Sequence, residues 1–199
     1  MSSVMSGAVK RLHQLAWQPG AWLDRSWWAH LSLTEWESIY DDHASCRRAI
    51  DATLVARRGF PKQPLPGTLS VRQNALMALE PRLSELATAL GLIALDCPEY
   101  LLLRDYREAL SIHLGDRACE QLFILHPGWK ARPTIEDHSR LGEVALQTGT
   151  QWLSREAGNC AVSHGLLGLL PHSGNAVQDS LLKQAASAPE WLIKLGRFL

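Results

Sequence analysis

Apolar side chains recur every three to four residues along most of this chain, which is the periodicity of amphipathic α-helices. The pattern is densest between Leu83 and Leu125. Pro81 favours the start of a first helix there, because a proline at the first helical position removes no hydrogen bond that the helix needs. Its predicted core face carries Leu83, Leu86, Ala87, Leu90 and Ala94. Asp96-Cys97-Pro98 should end it, because the residue before proline is disfavoured in the α region.

Two further helices are predicted before Leu125. The second begins at Pro98 with Leu103, Tyr106 and Leu110 as its apolar stripe. Gly115 is expected in the left-handed conformation that ends a helix, and Asp116 at the N-cap of a third helix. The third stripe consists of Ala118, Leu122 and Leu125. Such short turns predict that the three helices pack antiparallel against each other.

Capping signals predict further helices on both sides of this centre. Ser32 and Glu35 match a capping box, with Leu31 and Trp36 as its hydrophobic staple, so a helix should run to about Arg57 with Trp36 near its core face. Shorter segments are predicted as follows: residues 1–10 frayed, a helix over 70–79, a helix over 135–156 capped by Thr134 and Asp137, a helix over 176–186, and a last helix opened by Pro189.

These patterns together predict an all-α fold, a compact multi-helix domain with short antiparallel connections. Residues 161–170, AVSHGLLGLL, leave a short extended segment open, because two glycines make a poor helix. Residues 59–67, GFPKQPLPG, are the best linker in the chain, with three prolines and two glycines. We therefore expect a Trp-rich N-terminal lobe over 1–58, packed on a helical body over 68–199 as one structural unit.

Charge and composition exclude several classes of protein. The 199 residues contain 20 Lys and Arg against 20 Asp and Glu, so the basic excess of a nucleic-acid binder is missing. No apolar run approaches the ~20 residues of a membrane span, and the N-terminus has no signal-peptide pattern. The four cysteines form no CxxC pair, which favours reduced cytosolic thiols over a zinc module.

No catalytic or metal-binding constellation emerges from the sequence. The phosphate-binding, dinucleotide, metalloprotease, EF-hand and nucleophile-elbow motifs are all missing. Asp41 and Asp42 point about 100° apart on a helix, which does not suit acid–base catalysis. His113, Cys119 and His126 have spacings that do not converge on one metal. We therefore expect no enzyme activity, no metal and no cofactor.

Tryptophan is the one residue type that points to an interface. Five of the eight tryptophans lie between residues 11 and 36, and another stands in the loop HPGWKARP. These rings can cap the helical core, or they can anchor a protein partner, because tryptophan is enriched at binding hot spots. The interface candidates are Trp22, Trp27, Trp28 and Trp129.

The order of these features resembles a known family. LAWQPGAWLDRSWW, residues 15–28, is similar to the Leu/Trp/Pro opening of the type III secretion sorting-platform adaptors, the SctK-type proteins of the YscK or HrpD group. The Leu-rich centre followed by HPGWKARP resembles that family's central helices and Pro/Gly/Trp loop. GTQWL, residues 149–153, and LLGLLPH, residues 166–172, resemble its later motifs.

The resemblance implies a cytoplasmic, mostly helical, non-enzymatic adaptor of the injectisome, a virulence apparatus. Such an adaptor lies peripheral to the inner membrane, without inserting into it. It would bridge the cytoplasmic domain of the inner-membrane ring protein (SctD type) to the pod protein (SctQ type), and through the pod to the stalk regulator and ATPase. The alternative is a stand-alone helical ligand-binding or enzymatic domain with an apolar pocket between helices.

Overall fold

The computed structural model describes residues 5–126, 128–172 and 187–199. Within these ranges the chain forms α-helices and three short 3-10 helices but no β-strand, which confirms the all-α prediction. The helix predicted over 176–186 lies outside the described residues. The described helices are α1 (Gly7–Trp17), α2 (Arg25–His30), α3 (Thr34–Asp42), α4 (Arg47–Arg58), α5 (Val71–Met77), α6 (Leu83–Leu95), α7 (Glu99–Leu102), α8 (Arg104–Leu110), α9 (Asp116–Leu125), α10 (Leu141–Glu156), α11 (Ala161–Leu167) and α12 (Ala188–Phe198).

The helices group into two compact units. One consists of Met1–Glu80 with Ala157–His172, and the other of Pro81–Glu156 with Ser173–Leu199. This division differs from the predicted boundary at residues 59–67, because the linker belongs to the first unit. Its Phe60 is buried, and the Phe60 ring lies 5.7 Å from the ring of His164, which the chain brings back from beyond α10.

Helices α1, α5 and α11 pack together in the first unit. The N-terminus is ordered earlier than predicted, because Ser6 caps α1 by accepting a hydrogen bond from the Val9 backbone N–H. The extended alternative for residues 161–170 is wrong. Val162 and Leu166 lie at helical spacing and are both buried, and Gly165 leaves room for the Leu12 side chain.

A second apolar cluster of the first unit joins α2, α3 and α4. Its buried members are Trp28, Leu31, Leu33, Tyr40, Ile50 and Leu54. The single helix predicted over 33–57 is in fact two helices, and the Ser32 capping box does not form. Ser32 has a positive φ of 56°, so Leu33 becomes the N-cap of α3. Trp36 consequently turns away from the core and keeps 43 % of its surface exposed.

The second unit is built on the crossing of α6 and α10. The helices touch backbone to backbone at two glycines: a Cβ atom on Gly91 would lie 1.7 Å from the Ala145 carbonyl oxygen, and one on Gly149 would lie 1.9 Å from that of Ala87. Helix α12 packs on both α6 and α10. The three helices over 83–125 were predicted to pack antiparallel against each other, whereas α6 makes its closest approach to the distant α10.

The remaining helices of the second unit correct the predicted boundaries. The second predicted helix breaks at Leu103 into α7 and α8, and Leu103 is exposed whereas Leu110 is fully buried. Gly115 is the N-cap of α9 with a φ of −64°, while Asp96 takes the left-handed conformation with a φ of 55°. The predicted 135–156 helix begins as α10 only at Leu141, after a 3-10 turn over His138–Arg140.

Candidate interaction surfaces

The Pro19-Gly20 turn of the opening motif is held by a buried polar node. Its Gly20 backbone N–H donates to Asp51 Oδ1 at 2.9 Å, and the Tyr40 hydroxyl donates to Asp51 Oδ2 at 3.3 Å. A Cβ atom on Gly20 would lie 2.3 Å from the Tyr40 ring, so only glycine fits between them. This node explains the glycine of the motif as a requirement of folding.

Burial sets the protonation of this node. Burial, together with the neighbouring Asp51 carboxylate, raises the pKa of Tyr40 to about 12. Burial also raises the pKa of the Asp51 carboxyl, against the opposing effect of the hydrogen bonds from Gly20 and Tyr40. Both carboxylate oxygens accept hydrogen bonds from within the unit, so the pair is a structural contact.

Trp22 is the most accessible of the four tryptophans proposed as interface residues. It keeps 41 % of its surface exposed, and the Arg11 guanidinium lies 3.7 Å from its ring centroid. Arg11 is itself paired with Glu80, with Nε–Oε1 at 2.8 Å. The cation–π contact and the ion pair together hold the Trp22 ring in one orientation at the surface.

Trp27 and Trp28 differ in role, as adjacent helical residues should. Trp28 is buried to 2 % exposure in the α2–α3–α4 cluster, so it is not available as a partner anchor. Trp27 is half-buried, and its indole N–H donates to the Leu170 carbonyl at 2.9 Å. Trp27 therefore fastens the end of the first unit to α2.

Histidine and arginine side chains surround Trp27. The rings of His30 and His172 stack with centroids 3.5 Å apart, and His172 meets Trp27 edge-on at 4.8 Å. Burial, and then the proximity of His30, lowers the pKa of His172. Arg58 lies between Trp27 and Phe60, 5.1 Å from each ring, and donates to the His164 carbonyl. Burial lowers the pKa of Arg58 to about 10, so it remains a cation at neutral pH.

Trp129, in the second unit, is half-buried rather than fully presented at its loop. Its indole N–H donates to the Phe123 carbonyl at 3.0 Å, and its ring stacks on Phe123 with an interplanar angle of 8°. His126 meets the Trp129 ring at 4.6 Å and lies 2.9 Å from Asp96 Oδ1. These contacts tie the loop to the ends of α6 and α9.

Sequence reasoning missed two accessible tryptophans. Trp17, at the last position of α1, and Trp36, in α3, keep 51 % and 43 % of their surfaces exposed. Trp36 was assigned to the core because the predicted helix start was misplaced. The positive φ of Ser32 rotates the face of α3, and serine at that position gives no sequence signal for such a conformation.

The second unit also has an open cleft of about 300 Å³. Its lining is mainly polar, so it does not match the apolar pocket of the alternative hypothesis. Arg82 Nη2 and Glu85 Oε1 pair with each other at 2.7 Å, so their opposite charges largely offset each other. The lining residues are Pro81, Arg82, Ser84, Glu85, Thr88, Ile112 and His113.

Among the described residues, no three His, Cys, Asp or Glu side chains are grouped so that they could hold a metal ion. In the same part of the chain, no helix is both long and apolar enough to cross a bilayer.

Comparison with known proteins gives the family. Residues 10–172 match the model of a family described as type III secretion system subunit. Neither the curated proteins nor the solved structures include a match. The matched range takes in the opening tryptophan motif, the α6–α10 crossing and α11, which is most of the chain. The chain therefore belongs to the family of type III secretion system subunits.

Proposed function

We propose that this chain is the SctK-type adaptor of the secretion sorting platform, a non-enzymatic cytoplasmic protein at the base of the apparatus. It would link the cytoplasmic domain of the inner-membrane ring protein (SctD type) to the pod protein (SctQ type), and indirectly to the stalk regulator and ATPase. The family match over residues 10–172 carries the proposal. The all-α fold and the accessible tryptophans support it.

Reconstitution with purified partners tests the adaptor role. The full chain is mixed with the pod protein and the ring protein's cytoplasmic domain from the same bacterium, first pairwise and then together. We expect size-exclusion chromatography with light scattering to detect both pairwise complexes and one complex of all three. If the full chain binds neither protein, the adaptor role is wrong.

Tryptophan substitutions then locate the binding surface. Trp22→Ala should weaken binding to one of the two partners by about 2 kcal/mol, close to 30-fold, while the melting temperature is kept. Trp129→Ala tests the second unit: it too should weaken partner binding while the melting temperature is kept. Trp28→Ala is the matched control, because removal of a buried tryptophan should lower the melting temperature first. Unchanged affinity in both Trp22→Ala and Trp129→Ala would remove these rings from the interface.

A further inference from the structure

Helix α3 exposes an apolar strip that the described residues of the chain do not cover. Tyr40 is the one buried side chain among its nine residues. Trp36 and Ile39 lie on the accessible surface with 43 % and 39 % exposure. At 100° per residue these two side chains project about 60° apart, so they form one continuous strip next to the core-facing Tyr40.

Carboxylates border this strip on its outer side. Glu35 and Asp42 are seven residues apart and lie on the same helical face, each within 60° of Ile39. The helix TEWESIYDD contains four acidic residues and no lysine or arginine. An accessible tryptophan and isoleucine beside the carboxylates of Glu35 and Asp42 are unusual for a merely solvated helix face.

Two arginines contact α3 without pairing with Glu35 or Asp42. Arg25 pairs with Glu37 at 3.1 Å, on the opposite side of the helix from Ile39. Arg47 donates to the backbone carbonyls of Tyr40 and Asp41 at 2.9 and 3.0 Å. Within residues 5–126, 128–172 and 187–199, no ion pair reaches Glu35 or Asp42. Both carboxylates are therefore open to a partner's cations.

We propose that α3 docks, through Trp36 and Ile39, into an apolar groove rimmed by lysine or arginine on one of the two proposed partners. The inference rests on the proposed function and adds a surface outside the four tryptophans considered above. The mode is a helix in a groove, in which apolar anchors supply affinity and the flanking charges supply orientation and association rate. Charge decides between occupants: acidic α3 repels lipid headgroups and nucleic-acid phosphates, and two α3 helices would repel each other.

Affinity measurements on four variants of the full chain test the docking face. By biolayer interferometry against the pod protein and the ring cytoplasmic domain, Trp36→Ala and Ile39→Ala should each weaken binding to the same partner by about tenfold or more. The double variant Glu35→Gln/Asp42→Asn should weaken that binding too and make it less dependent on salt. Glu35→Lys/Asp42→Lys should weaken it further.

Matched controls lie on the second unit. Ile124→Ala removes an isoleucine that is 79 % exposed on α9. Around the helix axis Ile124 lies between Arg117 and Glu120, whose charges are opposite. Glu136→Lys reverses an exposed charge in a loop. Both controls should bind within twofold of the parent chain. The neutral double variant changes no buried atom, so it remains informative even where Trp36→Ala lowers the melting temperature.

The possible results separate the two proposals. If the parent chain binds a partner and all α3 variants bind it within twofold of the parent, the docking face is wrong and the adaptor role stands. If the parent binds neither partner, both proposals fail. A parent chain that is dimeric in light scattering and becomes monomeric with Trp36→Ala would make a second copy the occupant, which also overturns the inference.

Discussion

Asp51 connects three segments of the first unit through one carboxylate. Its oxygens accept hydrogen bonds from Gly20, at the turn of the opening motif, and from Tyr40 of α3, while Asp51 itself belongs to α4. A charged residue in an amphipathic helix is ordinarily expected on the solvated side. A contact between residues 31 positions apart leaves no local pattern, so the node was not predictable from the sequence.

Stability should respond to pH through Asp51. The pKa of its carboxyl is raised above the ordinary 3.8, so the folded chain binds this proton more tightly than the unfolded chain does. Its stabilising contribution is therefore complete below pH 3.8 and is lost as the pH rises through the raised pKa. Asp51→Asn removes the charge and can keep both hydrogen bonds. We expect the variant and the parent chain to have the same melting temperature at pH 3.5, and the variant to have the higher melting temperature at pH 7.

Asp137 provides a control, because the pKa of its carboxyl is shifted in the opposite direction. Hydrogen bonds from the Ser139 side chain and backbone lower the pKa of its carboxyl. The Asp137 carboxylate therefore stabilises the fold above its ordinary pKa, and this stabilisation is lost as the pH falls through the lowered pKa. Asp137→Asn should therefore be the less stable variant at pH 7, and thermal melts across pH 3.5–7 compare the two. A lower melting temperature for Asp51→Asn at pH 7 would contradict the assignment.

Leu110 tests the central apolar stripe at a single position. Its side chain is fully buried, so Leu110→Asp places an unpaired carboxylate in the core at a cost of several kcal/mol. That is a large part of a total stability of about 5–15 kcal/mol. We expect the variant to lose its cooperative melting transition in circular dichroism. Leu102→Asp, at a position 57 % exposed, should melt like the parent chain.

At the scale of elements, periodicity predicted the core face of α6 but not the helix on which it packs. The stripe from Leu83 to Ala94 is buried as predicted, since a 3.6-residue period needs only local sequence. The pairing of α6 with α10 depends on Gly91 and Gly149, which are 58 residues apart. In the sequence, two glycines in separate helices indicate only weak helix propensity, and their contact is visible only in the structure.

The α6–α10 crossing predicts a strong effect for one methyl group. In Gly91→Ala the new Cβ meets the Ala145 carbonyl oxygen, a backbone atom that cannot turn aside, so the helices must separate. We expect a loss of about 3 kcal/mol or more in the free energy of unfolding by urea. Gly67→Ala is the control, because no atom lies within 4 Å of the new methyl group. Equal stability of the two variants would contradict the close crossing.

At the scale of the whole molecule, the first unit is discontinuous in sequence. Its α11 supplies buried Val162 and Leu166 next to α1 and α5. Residues 1–80 alone should therefore give weak near-ultraviolet circular dichroism and no cooperative melt. A fusion of 1–80 to 157–172 through a Gly/Ser linker of about 15 residues should recover both signals. A cooperative melt of 1–80 alone would show that α11 is dispensable.

The candidate surfaces were less predictable than the fold. Composition singled out the tryptophans, and Trp22 is the most accessible of the four interface candidates. Which rings are accessible depends on helix rotation and on hydrogen bonds to distant carbonyls, as for Trp27 and Leu170. Trp36 was hidden by a misplaced helix start. Charge on α3 was visible in the sequence, but its position beside an exposed strip required the structure.

The return of the chain to its first unit has a consequence for biosynthesis. Helices α1 and α5 leave the ribosome long before α11, because 76 residues separate Glu80 from Ala157. At about 5–20 residues per second, synthesis of those 76 residues alone keeps the apolar face that awaits α11 open for roughly 4–15 seconds. Until residue 172 has emerged, the nascent protein exposes the surface that chaperones recognise. A prematurely terminated product cannot close its N-terminal unit, so the late segment ties completion of that unit to translation of most of the chain.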